Sequence, residues 1–319
     1  MAKVDSCLFK FRYFLYTKTR MGYFYHRREI TKSTLEHPDG HSKCHPTDFV
    51  GLKIIPVPML KDNYAYIIIE TRSRKTVVID PGDAHAVQET LKKANVTPSA
   101  VLTTHKHWDH SGGNGQMKRM YPDIKIYGGN LDRVPDVTNT LKDGDCLEIG
   151  PLCFKVIFTP GHTVGHLTYL LEGSPFGAPD SLFSGDHLFL SGCGRIFECS
   201  PSVMLNSLEA LHRLPDDTLV WPGHEYAVQN LEFSVYLDPE NEITRQKHLW
   251  AMKQRRKMLP TCPSSLREEK LYNPFLRLTD EVILKSLELD GCEEDIELLK
   301  VKSLTELRER KEHYKYDKI

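Results

Sequence analysis

The sequence predicts an α/β fold in which sheet packs on sheet with helices outside, followed by a region made of helices alone. Three changes of pattern predict it. From Lys53 to Tyr127, β-branched runs alternate with helical periodicity; from Cys146 to Leu171 nearly every regular segment is a strand; after His224, strand-like alternation stops.

In order, Lys53–Val57 and Tyr64–Ile69 are strands by β-branched and aromatic content, joined by the turn Lys61-Asp62-Asn63. Thr76 to Asp80 is another, closed by Pro81-Gly82-Asp83, and Asp80 is open to two readings, a support for nearby chemistry or a plain turn carboxylate. Val87 to Ala94 has helical spacing, Ala100 to Leu102 returns to strand, Gly113 to Met120 is a helix and Ile124 to Tyr127 a strand. Strands at Cys146–Ile149, Cys153–Phe158 and Leu167–Leu171 precede a helix from Ser202 to Leu211. Short strands at Ser181–Phe183 and Thr218–Val220 flank that helix. Beyond His224, the charged, Leu-studded segments 227–233, 239–258 and 282–312 read as helices. The expected division is an extension and linker over 1–50, a catalytic domain over 51–225 and a helical domain over 226–319.

With 319 residues, 40% of them hydrophobic, the chain can bury one large core or two smaller ones, two domains being expected, and a net charge of −1 gives no reason to expect a nucleic-acid partner. Eight scattered cysteines without a Cys-x-x-Cys pair suit an intracellular, reducing compartment. Neither a secretory signal nor an 18-residue apolar span is visible. The N-terminus is basic and aromatic: residues 8–28 interleave Phe9, Tyr13, Tyr16, Tyr23 and Phe24 with Lys10, Arg12, Arg20 and Arg27. Such a segment suits a membrane interface, a targeting peptide for mitochondria, or an extension packed on the domain. His37 to Pro46 reads as a linker, and its His37, His41, Cys44 and His45 as solvated residues.

The chemistry concentrates in Thr104-His105-Lys106-His107-Trp108-Asp109-His110, at the end of a strand. Imidazole nitrogen and carboxylate oxygen are what Zn²⁺ accepts in catalytic sites. Two residues apart in an extended segment, His105 and His107 project to one side and can grip one ion; Asp109 and His110 follow where the chain turns and can grip another. Burying so many titratable groups without a cation would be costly. Four ligands do not complete two shells, and strand–turn–ligand patterns recur downstream at Thr159-Pro160-Gly161-His162, Ser184-Gly185-Asp186 and Trp221-Pro222-Gly223-His224.

This ordered series resembles the metallo-β-lactamase superfamily. Within it, His107 to Asn114, Gly192-Cys193-Gly194-Arg195 and Tyr272-Asn273-Pro274-Phe275-Leu276-Arg277 resemble the glyoxalase II branch, the hydroxyacylglutathione hydrolases, over residues 52–319. The resemblance implies an αββα sandwich with a C-terminal helical substrate-binding domain. It puts His105, His107 and His162 on one metal and Asp109, His110 and His224 on another, with Asp186 between them. Two divalent ions per chain follow, zinc first, with iron and manganese as alternatives. The implied reaction is hydrolysis of a thioester such as S-lactoylglutathione by a hydroxide shared between the ions, with Asp109 and Asp186 as the catalytic carboxylates. A thiolate leaves readily, so no strong general acid is needed.

For the substrate, the resemblance points to Arg195, Phe197, Tyr226, Arg308 and Lys311. Arg195 stands where the family has Lys, and Phe197 where it has Tyr, which removes a hydroxyl donor worth about 1 kcal/mol. A solvated helix face is an equal reading for Arg308 and Lys311. His166 reads as a packing residue or ligand support, His187 as pointing to the opposite face, and Asn114 and Thr104 as loop supports. Two other functions remain open. A mononuclear iron persulfide dioxygenase shares the fold and several ligands; the Trp108 and Gly112-Gly113-Asn114 context together with the Arg308/Lys311 tail disfavours it. A membrane-attached regulatory or interaction protein with weak hydrolase activity is the other.

Overall fold

The structure, a computed structural model, describes residues 7–291 and 295–316; Lys3, Asp5 and Cys292 lie outside them. Two helices come first, α1 (Cys7–Lys18) and α2 (Arg20–Glu36). Strands β1 (Thr47–Phe49), β2 (Leu52–Met59), β3 (Asn63–Glu70) and β4 (Thr76–Ile79) follow, then α3 (Ala84–Lys93) and β5 (Ala100–Leu102). Next are α4 (Trp108–Ser111), α5 (Asn114–Met120), β6 (Lys125–Gly129) and β7 (Asn139–Leu141). The second half holds β8 (Cys146–Ile149), β9 (Leu152–Phe158), β10 (Leu167–Leu171), β11 (Ser181–Gly185), β12 (Leu188–Phe189), β13 (Gly192–Cys193), α6 (Pro201–His212) and β14 (Leu219–Pro222). The chain closes with α7 (Ala227–Leu237), α8 (Glu242–Arg256), β15 (Ser264–Ser265), α9 (Leu266–Tyr272), α10 (Glu281–Ser286) and α11 (Ile296–His313).

β1 to β7 form one sheet in sequence order, antiparallel as far as β4 and parallel from β4 onward. The second sheet runs β15-β14-β11-β10-β9-β8, with β11 and β14 parallel. Side-chain alternation explains how the sheets stack. On β3, Tyr64, Tyr66 and Ile68 join Phe154, Val156, Tyr169, Phe183 and Trp221 in the core between the sheets. Ala65, Ile67 and Ile69 point the other way, onto Val87 and Leu91 of α3 and Met117 of α5. The outer face of the second sheet, with Leu170, Leu182 and Val220, packs on Met204, Leu205 and Leu208 of α6, Phe233 of α7 and Leu304 and Leu307 of α11. Each such fully buried side chain contributes about 1.5–3 kcal/mol. The expected αββα sandwich with a helical C-terminus is what forms.

Topology also decides where ligands can gather. β4 and β5 are parallel, as are β11 and β14, so the loops that follow each pair leave at the same sheet edge. The edges join there: Tyr64 N–H donates to Gly223 O at 2.9 Å.

Two expectations need correction. The stretch His37 to Pro46 is not a solvated linker throughout: His41 and Ser42 are buried, His41 Nε2–H donates to Asn63 O at 2.9 Å, and Arg255 donates to His41 O and Ser42 Oγ. Those partners are distant in sequence, so polar composition misled. The single helix expected over 282–312 is two, α10 and α11, because Asp280 and Asp295 each cap a fresh N-terminus with their carboxylates.

Candidate metal centre

Seven side chains from the segments that follow four strands meet at the shared edge. His105 and His107 leave β5, Asp109 and His110 sit on α4, His162 follows β9, Asp186 follows β11 and His224 follows β14. They fall into two groups, His105, His107, His162 and Asp186 in one and Asp109, His110 and His224 in the other, with ligand atoms within 4.8 Å of one another in each. His107 Nδ1 lies 3.0 Å from both His105 Nε2 and His162 Nε2. Asp186 touches both groups, with Oδ2 3.4 Å from His162 Nε2 and Oδ1 3.1 Å and 3.3 Å from the Nε2 atoms of His110 and His224. Asp109 Oδ2 stands 3.6 Å from His110 Nε2 and 3.5 Å from His224 Nε2.

The outer nitrogens show that these atoms suit a cation. Thr104 donates its backbone N–H and its hydroxyl to the two oxygens of Asp80, 2.7 Å each, so its oxygen is free to accept from His105 Nδ1–H at 3.0 Å. His110 Nδ1–H donates to Asp80 Oδ2 at 2.9 Å, His224 Nδ1–H to Asp62 Oδ1 at 2.8 Å and His162 Nδ1–H to the Arg195 carbonyl at 2.9 Å. With the outer nitrogen protonated, a neutral ring turns a lone pair inward. Lone pairs of His105, His107 and His162 converging at 3.0 Å repel unless something positive lies among them.

Electrostatics divides the same way. Burial holds the His105, His107 and His162 imidazoles below their ordinary value, so they are neutral donors. At His110 burial pulls the same way but Asp186 and Asp109 outweigh it, raising the ring to about 10. His224 is raised too, burial being overcome first by Asp186. Burial also works against ionised Asp186, yet His224 and His110 hold its carboxyl well below the usual range.

Residues 61–224 match the family described as "Metallo-beta-lactamase superfamily", and residues 225–314 match "Hydroxyacylglutathione hydrolase C-terminus". A "Hydroxyacylglutathione hydrolase cytoplasmic" of Arabidopsis thaliana is 41% identical over 266 residues, which are 83% of this chain and 100% of that relative. The chain belongs to the hydroxyacylglutathione hydrolase family of the metallo-β-lactamase superfamily. A "Hydroxyacylglutathione hydrolase-like protein" of Gallus gallus is 38% identical, over 84% of this chain and 92% of the relative. In fold the chain is similar to the crystal structure of ETHE1 from Myxococcus xanthus, with a TM-score of 0.53 at 23% identity, covering 83% of this chain and 97% of that one.

In this hydroxyacylglutathione hydrolase family member, the five residues expected on the substrate side lie in unlike settings. The Phe197 ring packs on His107 and His162, 5.8 and 5.0 Å between centroids, and on Phe9 and Tyr13 of α1. It lines a cavity of about 670 Å³ together with Phe9, Tyr13, Arg308 and Glu312. Arg195, a third exposed, holds His162 through its carbonyl, and its Nε lies 3.9 Å from Glu312. Tyr226 stacks on His224 at 4.6 Å and 9° between planes. Arg308 is buried and donates to Cys193 O at 3.0 Å. Lys311 donates to Asn230 Oδ1 at 2.6 Å over the Phe233 ring, and burial draws its ammonium down to about 7. Arg308 thus ties α11 to β13, and Lys311 ties it to α7.

His166 stacks on His105 and accepts from the Asp186 N–H at 3.2 Å, a support and not a member of either group. His187 is buried with no hydrogen bond to either nitrogen, and Asn114 ties Thr103 to Pro135. The sequence marks Asp62 only as a turn residue, and Tyr13 and Tyr16 only as aromatics of the N-terminal segment; their contacts with the ligands it does not show. For Asp62 a signal existed, since its turn ends β2 at the edge where the ligands gather.

Proposed function

We propose that this chain is a thioesterase of the hydroxyacylglutathione hydrolase type, acting on glutathione thioesters with two divalent ions, zinc in the first place. The observation that carries the reading is the meeting of His105, His107 and His162 with Asp109, His110 and His224 around Asp186. The relatives named as hydroxyacylglutathione hydrolases support the substrate class. These seven residues would hold the ions, the first three histidines on one and Asp109, His110 and His224 on the other. When bound, such an ion pair makes a water acidic enough to serve as nucleophile near neutral pH and steadies negative charge on a carbonyl oxygen.

The chain's own part is orientation and exclusion. Asp80, Asp62, Thr104 and the Arg195 carbonyl lock the tautomers of four ligand rings. Phe197 and Tyr226, packed on the ligand rings, keep solvent from the reacting centre. The acyl group lies toward the cluster and the thiol arm in the cavity beside Phe197. The leaving thiolate needs no proton from a strong acid. The proposed domain division, 51–225 for catalysis and 226–319 for the helical domain, is supported by the two family matches, which meet between His224 and Glu225.

A second role rests on the N-terminal hairpin. Leu8, Phe11, Phe14, Met21, Phe24 and Tyr25 are exposed on α1 and α2 beside exposed Lys10, Arg12 and Arg20, which suits docking on an anionic lipid surface. Among the described residues no helix is long and apolar enough to cross a membrane.

The deciding assay follows hydrolysis of S-lactoylglutathione and a panel of acyl thioesters by metal-loaded protein. Turnover of glutathione thioesters that disappears in Asp186→Asn, with the fold retained, is the expected result; equal turnover in that variant would sink the reading.

A further inference from the structure

Four of the five imidazoles in the cluster take the partner of their outer nitrogen from the sandwich. For His107 Nε2 and Asp109 Oδ1 the partner comes from α1. The hydroxyl of Tyr13 lies 3.0 Å from His107 Nε2, and that of Tyr16, one turn further along, donates to Asp109 Oδ1 at 3.0 Å. His107 turns Nδ1 to the cluster, so Nε2 carries the proton and donates to the Tyr13 oxygen. Tyr13 in turn donates to Glu198 Oε1 at 3.0 Å, and Glu198 is held by Lys106 Nζ at 2.6 Å. Asp109 turns its other oxygen toward His110 and His224, where it also accepts from Asn63 Nδ2–H at 3.1 Å.

The hairpin is seated, not merely nearby. Trp108 Nε1–H donates to Tyr16 O at 2.7 Å, His26, buried, is bonded to Gly82 O at 2.8 Å, and the Ser33 hydroxyl donates to Leu60 O. A Cβ at Gly22 would meet Tyr16 O at 1.8 Å, and one at Gly112 would meet His26 Nε2 at 2.3 Å, so both contacts require the smallest residue.

We infer that Tyr13 and Tyr16 are positioning residues of the metal centre, each serving one half: Tyr13 orients His107, and Tyr16 orients Asp109. The inference rests on the metal-centre reading above. A partner on the outer atom fixes a ligand's rotation and raises its basicity, and losing one typically costs 10–100-fold in metal affinity. The N-terminal hairpin is therefore part of the catalytic unit.

The test titrates Zn²⁺ into the full chain against a chromophoric chelator, for wild type, Tyr13→Phe, Tyr16→Phe and Arg27→Ala. The last removes a hairpin contact with Gln116, at 3.3 Å, away from the cluster. Each Phe variant should weaken one of two binding steps by about tenfold and shift the visible absorption of the Co²⁺-loaded protein, while Arg27→Ala leaves both steps as in wild type. Two unchanged steps in both Phe variants would overturn the inference, as would an equal loss in Arg27→Ala. A wild-type chain that takes up no pair of ions would instead remove the metal-centre reading itself.

Discussion

Asp80 Oδ2 accepts from His110 Nδ1 at 2.9 Å while the same carboxylate takes both the N–H and the hydroxyl of Thr104. One side chain, at the end of β4 with a backbone φ of 50°, thus orients a ring of one ligand group directly and His105 of the other through Thr104. A left-handed φ is costly for a non-glycine residue, and the three hydrogen bonds hold it there.

Removing that acceptor should loosen both groups at once. Asp80→Asn is expected to weaken uptake of both ions, each by about tenfold or more, and to lower the melting temperature of the metal-free protein, because an amide cannot accept all three hydrogen bonds. Chelator competition reads the first and thermal unfolding the second; a variant with wild-type affinity would mean that Asp80 serves the loop alone.

Metal uptake should be coupled to proton release. Without ions, Asp186 and Asp109 keep His110 protonated up to about pH 10, burial notwithstanding, and a ligand nitrogen must be bare. At pH 7 binding therefore expels protons, and affinity should rise between pH 5.5 and 7.5. Calorimetric titration in buffers of different ionisation enthalpy measures the count, with at least one proton per chain expected; an affinity flat across that range would contradict the assignment.

The Lys106–Glu198 pair gives a pH dependence of stability. Burial disfavours ionised Glu198, but the hydrogen bond from Lys106 outweighs it and holds the carboxyl below its ordinary 4.5. A depressed carboxyl stabilises the folded state fully above about pH 4.5, and that contribution disappears as the pH falls through the folded value. Glu198→Gln should cost about 2 kcal/mol at pH 7, since Lys106 keeps Asp132 at 3.5 Å. Denaturant titrations should show the gap from wild type narrowing below pH 4.5; a gap that widens there would be the wrong sign.

For the hairpin's outer face, Leu8→Asp combined with Phe11→Asp and Phe24→Asp should abolish co-sedimentation with phosphatidylserine vesicles while thioesterase activity persists. Binding by the wild type should weaken with salt, because each cation near the surface is worth about 1 kcal/mol. Equal sedimentation of both proteins would dismiss the lipid role.

How much of this was readable beforehand depends on how local each signal is. His105 to His110 lie within six residues, and His162, Asp186 and His224 each follow an apolar strand and a turn, so the ligand set could be read from the chain. Their partners could not: Tyr13 meets His107 across 94 positions and Asp62 meets His224 across 162. The same distance in sequence hid the burial of His41 and Ser42 beneath Arg255, and β7 and β15 are too short for a period to register. Helix boundaries near Asp280 and Asp295 were signalled by the capping carboxylates themselves, obscured by the leucines around them.

The measurement that bears most directly on the central claim is the metal content of the purified full chain, by mass spectrometry on protein dialysed free of excess ion. Two divalent ions per chain in wild type, falling in Asp186→Asn, is the predicted result. A single iron per chain, or a content that Asp186→Asn leaves untouched, would contradict it.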